Sequence, residues 1–172
     1  PALTMGSPPT RSSKGIFQWM RGVGVHEVVV ETPRHDKELS DLPISHIYDV
    51  LWAYQERIKS IEKELQYEYI QVFKNKGKDA GASLSHPHSQ IVATPIIPKR
   101  VKEELYGAER FFRLSGECVF CKIIKEETEN KERLVLKNRH FCVVTPFASR
   151  FPFETDIYPV RHLPHYSSLN RE

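Results

Sequence analysis

Apolar positions in the first half of the chain follow a helical spacing over one long stretch. Between residues 43 and about 66 they recur every three or four residues, apart from one adjacent pair, and Glu, Lys and Arg fill the other positions. These apolar positions are Ile47, Val50, Leu51, Tyr54, Ile58, Ile61 and Leu65. The spacing predicts a long amphipathic helix. Pro43 is tolerated at its start because the N–H that proline lacks has no intrahelical partner there.

Runs of apolar and β-branched residues on both sides of this helix predict short strands. They span residues 26–31, 69–73 and 90–94. Residues 1–20 are rich in Pro and Ser and show no periodicity, so they are predicted to form a loop. The order strand, helix, strand, strand indicates an α+β unit.

The chain also contains a weak internal repeat. When it is aligned with itself so that His35 falls on His162, Glu, Arg, His, Ser and Leu recur at matching positions without a gap. The repeat predicts two copies of one unit, in which His35 and His162 have the same role. The second copy would then be cut off before its helix.

Composition narrows the class of protein. Of the 172 residues, 40% are hydrophobic and 27% charged, as in ordinary globular domains. No apolar run approaches the roughly 18 residues of a membrane helix, and no signal-peptide pattern is present. A net charge of +3 is too small to indicate nucleic-acid binding.

A Cys-x-x-Cys pair suits a reducing compartment, so the cytoplasm is expected. Because the chain opens with Pro1 instead of methionine, we expect a fragment of a longer protein.

A histidine-rich segment at residues 86–90 carries the most distinctive chemistry. In a strand, alternate residues share a face, so His86, His88 and Gln90 are predicted to point the same way. Such a group can bind a metal, hold a phosphate or attack phosphorus, or it can be an ordinary solvated strand face. The preceding loop, residues 75–83, is rich in Gly and small residues, whose backbone N–H groups can approach a phosphate closely.

Several separate stretches resemble the galactose-1-phosphate uridylyltransferase family of the histidine-triad superfamily. They lie, in the order of that family, at residues 26–33, 73–77, 81–83, 86–90 and 146–154. The resemblance implies a histidine-triad-like fold and a homodimer. It also implies transfer of a uridylyl group from UDP-glucose to galactose 1-phosphate, as part of galactose metabolism.

The resemblance assigns the nucleophile to His88. This imidazole would attack the α-phosphorus of UDP-glucose, and galactose 1-phosphate would then attack the uridylyl-histidine. Such chemistry requires a neutral ring whose second nitrogen donates its proton to a fixed acceptor. We expect that acceptor to be a backbone carbonyl in the segment that contains His86 and Pro87.

Further positions match residues of the family's pocket. Gln90 and Ser83 would donate hydrogen bonds to phosphoryl oxygens, where charge builds in the transition state. Asn75 and Gly81 would shape the pocket and contact the nucleotide. Ser89 departs from the glycine more usual in the family, and related adenylyl-transferring members carry serine there. The nucleobase therefore stays open.

The resemblance also implies structural zinc, held by two cysteines and two histidines per site. His35 and His86 match the histidine ligands of one site, whose cysteines would precede residue 1. Cys118, Cys121 and His162 match a second site, whose fourth ligand would follow residue 172. Thiolate and imidazole ligands suit tetrahedral Zn²⁺. The alternative for the cysteine pair is two small buried residues near a turn.

Other candidates receive no role in a site. Cys142 is predicted to be a buried hydrophobic residue in a strand. His46, His140 and His165 are interpreted as ordinary histidines.

These observations combine into a predicted tandem of antiparallel sheet plus long helix, with a first unit over residues 1–105 and a truncated second unit over residues 106–172. Two alternatives to uridylyl transfer stay open. One is an adenylyltransferase or nucleotide-sugar phosphorylase that uses the same His88. The other is a non-catalytic, zinc-stabilised nucleotide-binding module, which would form no covalent adduct.

Overall fold

The computed structural model describes residues 3–6, 9–64 and 66–170. The chain divides into two compact units, Pro1–Pro98 and Lys99–Glu172. The helices and strands of the first unit are β1 (Ser12–Lys14), β2 (Phe17–Trp19), β3 (Val25–Val30), α1 (Ile44–Ile61), β4 (Tyr69–Phe73) and β5 (His88–Thr94). A short 3₁₀ turn, Leu39–Asp41, precedes α1.

An antiparallel sheet of order β3-β5-β4 forms the centre of the first unit. Strand β5 pairs on both sides, and its Ile91 and Ala93 are 0% exposed. They pack with residues of α1 in the main cluster of buried side chains, which comprises Val25, Val50, Tyr54, Ile61, Ile91 and Ala93. The apolar stripe of the helix therefore covers one face of the sheet.

The face of this sheet opposite α1 positions the candidate site. Because side chains alternate along a strand, His88 and Gln90 lie on the face opposite Ile91. Their cross-strand partners on β3 are Val30 and Val28, whose side chains are exposed. The face of the sheet that carries His88 and Gln90 is therefore not the one that α1 covers.

The second unit contains two helices and a second antiparallel sheet. Its elements are α2 (Lys99–Ser115), α3 (Val119–Asn130), β6 (Leu134–Lys137), β7 (Phe141–Val144) and β8 (Asp156–Pro159). The sheet order is β6-β7-β8, and Cys142 and Val144 of the central strand are buried. The expectation that Cys142 is a buried hydrophobic residue in a strand is confirmed.

The predicted elements of the first unit are confirmed with shifted ends. Strand β4 has the predicted bounds, and β5 begins two residues earlier than predicted, at His88. Helix α1 ends at Ile61, where the Glu64 N–H donates to the Ile61 carbonyl in a tighter turn, so the predicted extension to about residue 66 is wrong. Leu65, included in the predicted stripe, lies outside the described residues.

The prediction of a loop throughout residues 1–20 is also wrong. Strands β1 and β2 form an antiparallel hairpin, and Gly15 occupies its turn with φ +60°. Every residue of these two strands is exposed. Each strand has only three residues, so the alternation of Phe17, Gln18 and Trp19 in β2 is too short to predict a strand. Residues 1, 2, 7 and 8 lie outside the described part of the chain.

Within the described ranges, none of the helices combines the length and apolar character needed to cross a membrane.

Candidate active site and metal ligands

His88 begins β5 and is almost fully buried, at 5% exposure. Its Nδ1 lies 2.7 Å from the carbonyl oxygen of His86. A carbonyl only accepts, so Nδ1 carries the proton and, in the neutral ring, the lone pair is on Nε2. The expectation that a backbone carbonyl of this tight segment fixes the ring is therefore confirmed. Histidine in this state is suited to nucleophilic attack through Nε2.

A cleft of about 550 Å³ opens beside His88. Asn75 and Ser83, which the resemblance assigns to the pocket, line it together with His86 and His88. Gly81 and Gln90, assigned to the same pocket, are not among the residues that line this cleft. Gly81 supports this loop from a position with φ +81°, and its N–H donates to the carbonyl of Lys78 at 2.9 Å. The left-handed conformation favours glycine at that position.

Three lysines also line the cleft, at alternate positions in the segment that follows β4: Lys74, Lys76 and Lys78. Glu38 is the acidic residue among them, 3.3 Å from the Lys74 ammonium and 3.8 Å from that of Lys76. Clustered ammonium groups attract phosphate groups electrostatically. No role was predicted for these lysines from the sequence, although their alternate spacing is visible at residues 74–78.

Gln90 lies two positions along β5 from His88 and contacts a histidine of the neighbouring strand. Its Oε1 is 2.8 Å from Nε2 of His26. Because that oxygen only accepts, His26 donates, and the amide –NH₂ of Gln90 is left to donate elsewhere. The predicted sharing of one face by His88 and Gln90 is confirmed. His86 lies before the first residue of β5, so the alternation of side chains along the strand does not confirm the prediction that His86 shares this face.

His35 and His86 come together in space. Their Nδ1 atoms are 2.7 Å apart and their rings meet edge to face. His86 Nε2 lies 2.6 Å from the Thr32 carbonyl and therefore donates to it, which leaves the Nδ1 lone pair directed towards His35. A histidine that ligates a metal through one ring nitrogen usually donates the N–H of the other nitrogen to an acceptor such as a backbone carbonyl.

A second group of potential ligands lies in the other unit. Ligand atoms of Cys118, Cys121 and His162 all lie within 4.8 Å of one another, and Cys121 Sγ is 3.2 Å from His162 Nδ1. Cys118 precedes α3 as its N-cap residue. Two thiols and an imidazole at this separation match the donor set that zinc prefers.

The two thiols differ electrostatically. The pKa of Cys118 is lowered, mainly because the backbone N–H of Cys121 donates to its sulfur at the start of α3. Burial raises the pKa of Cys121, and the neighbouring Cys118 adds to the effect. Cys118 is therefore the thiol that ionises first.

On the α1 side of the sheet, a buried polar network lies behind the histidine segment. Glu31 and Ser89 are each 2% exposed, and Tyr54 is 8% exposed. His46, which has no role in the sequence-based interpretation, has its Nε2 2.7 Å from the Glu31 carbonyl. These residues are scattered along the chain, so no local pattern identifies the network.

Comparison with known proteins identifies the family to which the chain belongs. Residues 2–98 match the profile of the galactose-1-phosphate uridyl transferase N-terminal domain. A galactose-1-phosphate uridylyltransferase of Thermotoga maritima is 35% identical over 100% of this chain and 54% of its own length. An ADP-glucose phosphorylase of Arabidopsis thaliana is 39% identical over 99% of this chain and 48% of its own length.

Solved structures give the same result. A uridylyltransferase superposes with a TM-score of 0.91 at 38% identity, covering 99% of this chain and 54% of that one. The Arabidopsis thaliana ADP-glucose phosphorylase with bound ADP-glucose superposes with a TM-score of 0.81 at 40% identity. The match covers 88% of this chain and 47% of that one. The chain belongs to the galactose-1-phosphate uridylyltransferase family of nucleotidyltransferases. It spans about half the length of the curated relatives it matches.

Proposed function

We propose that this chain carries the nucleophile of a nucleotidyltransferase, and that His88 moves a uridylyl group from UDP-glucose to galactose 1-phosphate. The observation that carries the proposal is the hydrogen bond from His88 Nδ1 to the His86 carbonyl at 2.7 Å, beside a cleft lined with lysines. It leaves the Nε2 lone pair for attack on phosphorus.

The reaction has two displacements. In the first, Nε2 of His88 bonds to the α-phosphorus of UDP-glucose while the bond from that phosphorus to the bridging oxygen breaks. The electron pair leaves with glucose 1-phosphate. In the second, a phosphate oxygen of galactose 1-phosphate attacks the uridylyl group and His88 departs. Splitting one exchange into two displacements is covalent catalysis.

The surrounding groups fit the charge that develops on the transferred phosphoryl group. The Gln90 amide is oriented by His26 so that its –NH₂ donates towards a phosphoryl oxygen. Ser83 and Asn75 line the cleft and bind substrate, and Gly81 shapes the loop that carries them. Lys76 and Lys78 attract the diphosphate.

One observation favours a second candidate, adenylyl transfer from ADP-glucose to phosphate. Ser89 stands between His88 and Gln90 where glycine is more usual in the family, and its hydroxyl accepts a hydrogen bond from Tyr54 of α1 and donates one to Glu31. Adenylyl-transferring members carry serine there. This reaction uses the same nucleophile and differs in nucleobase and acceptor.

The two thiols and the imidazole in the second unit suit zinc, and the resemblance implies a second zinc in the first unit, to which two histidines would contribute; each would act as a structural ion that holds its segments in place. The ligands would be His35 and His86 at one site and Cys118, Cys121 and His162 at the other. We further propose a homodimer located in the cytoplasm.

Intact-protein mass spectrometry after incubation with UDP-glucose, and in parallel with ADP-glucose, tests the proposal. A uridylyl adduct supports uridylyl transfer, and an adenylyl adduct alone would replace it with the second candidate. Folded, zinc-loaded protein that binds nucleotide without forming either adduct would be a non-catalytic binding module.

A further inference from the structure

The hydrogen bonds of the buried network that joins Tyr54, Ser89 and Glu31 run in one direction from donor to acceptor. Tyr54 OH donates to Ser89 Oγ at 2.5 Å, and Ser89 in turn donates to Oε1 of Glu31. The other oxygen of Glu31 accepts from the ammonium of Lys74. Each hydroxyl has one proton, so the order Tyr54, Ser89, Glu31 uses both protons and ends on a charged acceptor. Hydrogen bonds to a buried carboxylate are stronger than bonds between neutral groups.

Burial keeps this network intact. The side chain of Glu31 is 0% exposed, so the carboxylate depends on its protein donors. Burial also raises the pKa of Tyr54, which keeps its hydroxyl protonated and able to donate. The directional order of the bonds is therefore fixed by the fold.

The network joins the two segments that form the cleft. Ser89 lies between His88 and Gln90, and the Glu31 N–H donates to the carbonyl of Pro87 at 3.2 Å. Lys74, at the other end, lines the cleft together with His88. Both the histidine segment and the lysine-bearing loop are thus anchored on one carboxylate.

We propose that Tyr54, Ser89 and Glu31 are positioning residues, which fix the backbone between His88 and Gln90 in the geometry that nucleotidyl transfer requires. The inference rests on the proposed function of His88. None of the three touches the cleft, so they act through the backbone of β5. Small displacements of reacting groups reduce rates strongly while binding contacts persist.

Two variants that each remove a single oxygen atom test the proposal, Ser89→Ala and Tyr54→Phe. The rate constant of adduct formation is measured in a single turnover with UDP-glucose and with ADP-glucose, and the nucleotide Kd is measured separately. We expect the rate constant to fall roughly tenfold in each variant while Kd changes less than about twofold. The double variant should lose little more than the more impaired single variant, because both act through one chain of bonds.

A matched control separates positioning from stability. Tyr48→Phe removes the same atom from an exposed tyrosine of α1 and should leave the rate constant unchanged. A purely structural contribution would lower the amplitude of adduct formation and the unfolding midpoint without changing the rate constant. Unchanged rate constants in both Ser89→Ala and Tyr54→Phe would overturn the proposal.

The imidazole ring supplies a readout that does not depend on activity. In ¹⁵N-histidine-labelled protein, the ring signals of His88 are assigned by their loss in His88→Gly. We expect both ring signals to shift in Ser89→Ala and Tyr54→Phe and to stay in place in Tyr48→Phe. If the unsubstituted protein forms no adduct but these shifts occur, the proposed function fails and the positioning role stands. Unshifted signals in both variants would refute the positioning role.

Discussion

Replacing Lys74 by methionine should destabilise the first unit strongly. Lys74 is the counter-ion of Glu31, whose side chain is 0% exposed, whereas the lysine itself is 24% exposed. Breaking a buried pair by removing one partner costs about 3–5 kcal/mol because a charge stays buried without compensation. Since Lys74 reaches solvent and Ser89 still donates to the carboxylate, we expect a loss at or below the lower end of this range, about 2–3 kcal/mol.

Denaturant unfolding followed by tryptophan fluorescence measures this loss. Both tryptophans, Trp19 and Trp52, belong to the first unit, so their emission reports on it. Lys76→Met is the matched control, because Lys76 is 68% exposed and lies 3.8 Å from Glu38. An exposed pair of this kind contributes less than about 1 kcal/mol.

A double variant tests whether the unpaired charge of Glu31 causes the loss of stability. Combining Glu31→Gln with Lys74→Met removes both charges and should recover much of the stability lost in Lys74→Met alone. If Lys74→Met were no more destabilising than Lys76→Met, the carboxylate of Glu31 would not depend on Lys74, and the argument from its buried charge would be refuted.

The other predictions concern the metal ligands and the phosphoryl contacts. Cys118→Ser should lower the zinc content, measured by plasma emission, and the unfolding midpoint, while the His88 adduct still forms. An unchanged zinc content would argue against this site. Cys142→Ala, which replaces a buried cysteine that does not belong to the ligand group, should lower stability and leave zinc content unchanged. Gln90→Ala should slow adduct formation roughly a hundredfold and weaken nucleotide binding much less. A larger effect on Kd than on rate would make Gln90 a binding residue only.

Local patterns predicted the first unit well where one face of an element is buried. Helix α1 follows from its spacing because Val50, Tyr54 and Ile61 all pack in the same cluster with residues of the sheet. The strands of the β1–β2 hairpin are exposed and only three residues long, which is too short for such a pattern to predict them. The end of α1 was missed because Leu65 continues the apolar spacing in the sequence beyond Ile61, which is the last buried residue of the helix.

The site divides in a similar way. The assignments of His88, Ser83 and Asn75 to one pocket came from family resemblance, and the structure places all three beside one cleft. The link between Ser89 and Glu31 joins residues far apart in sequence, each of which is an unremarkable polar residue when considered alone. Only the pairing of β3 with β5 brings them together, so this network required the fold.

Locating the covalent bond tests the central claim most directly. The protein is incubated with UDP-glucose and with ADP-glucose, digested at neutral pH, and the modified peptide is sequenced by mass spectrometry, with His88→Gly and the exposed His140→Gly in parallel. We predict an acid-labile nucleotidyl group on His88, lost in His88→Gly, kept in His140→Gly, and transferred to free imidazole when imidazole is added to His88→Gly. A nucleotidyl group on another residue, or full transfer activity in His88→Gly without imidazole, would contradict the assignment of His88 as the nucleophile.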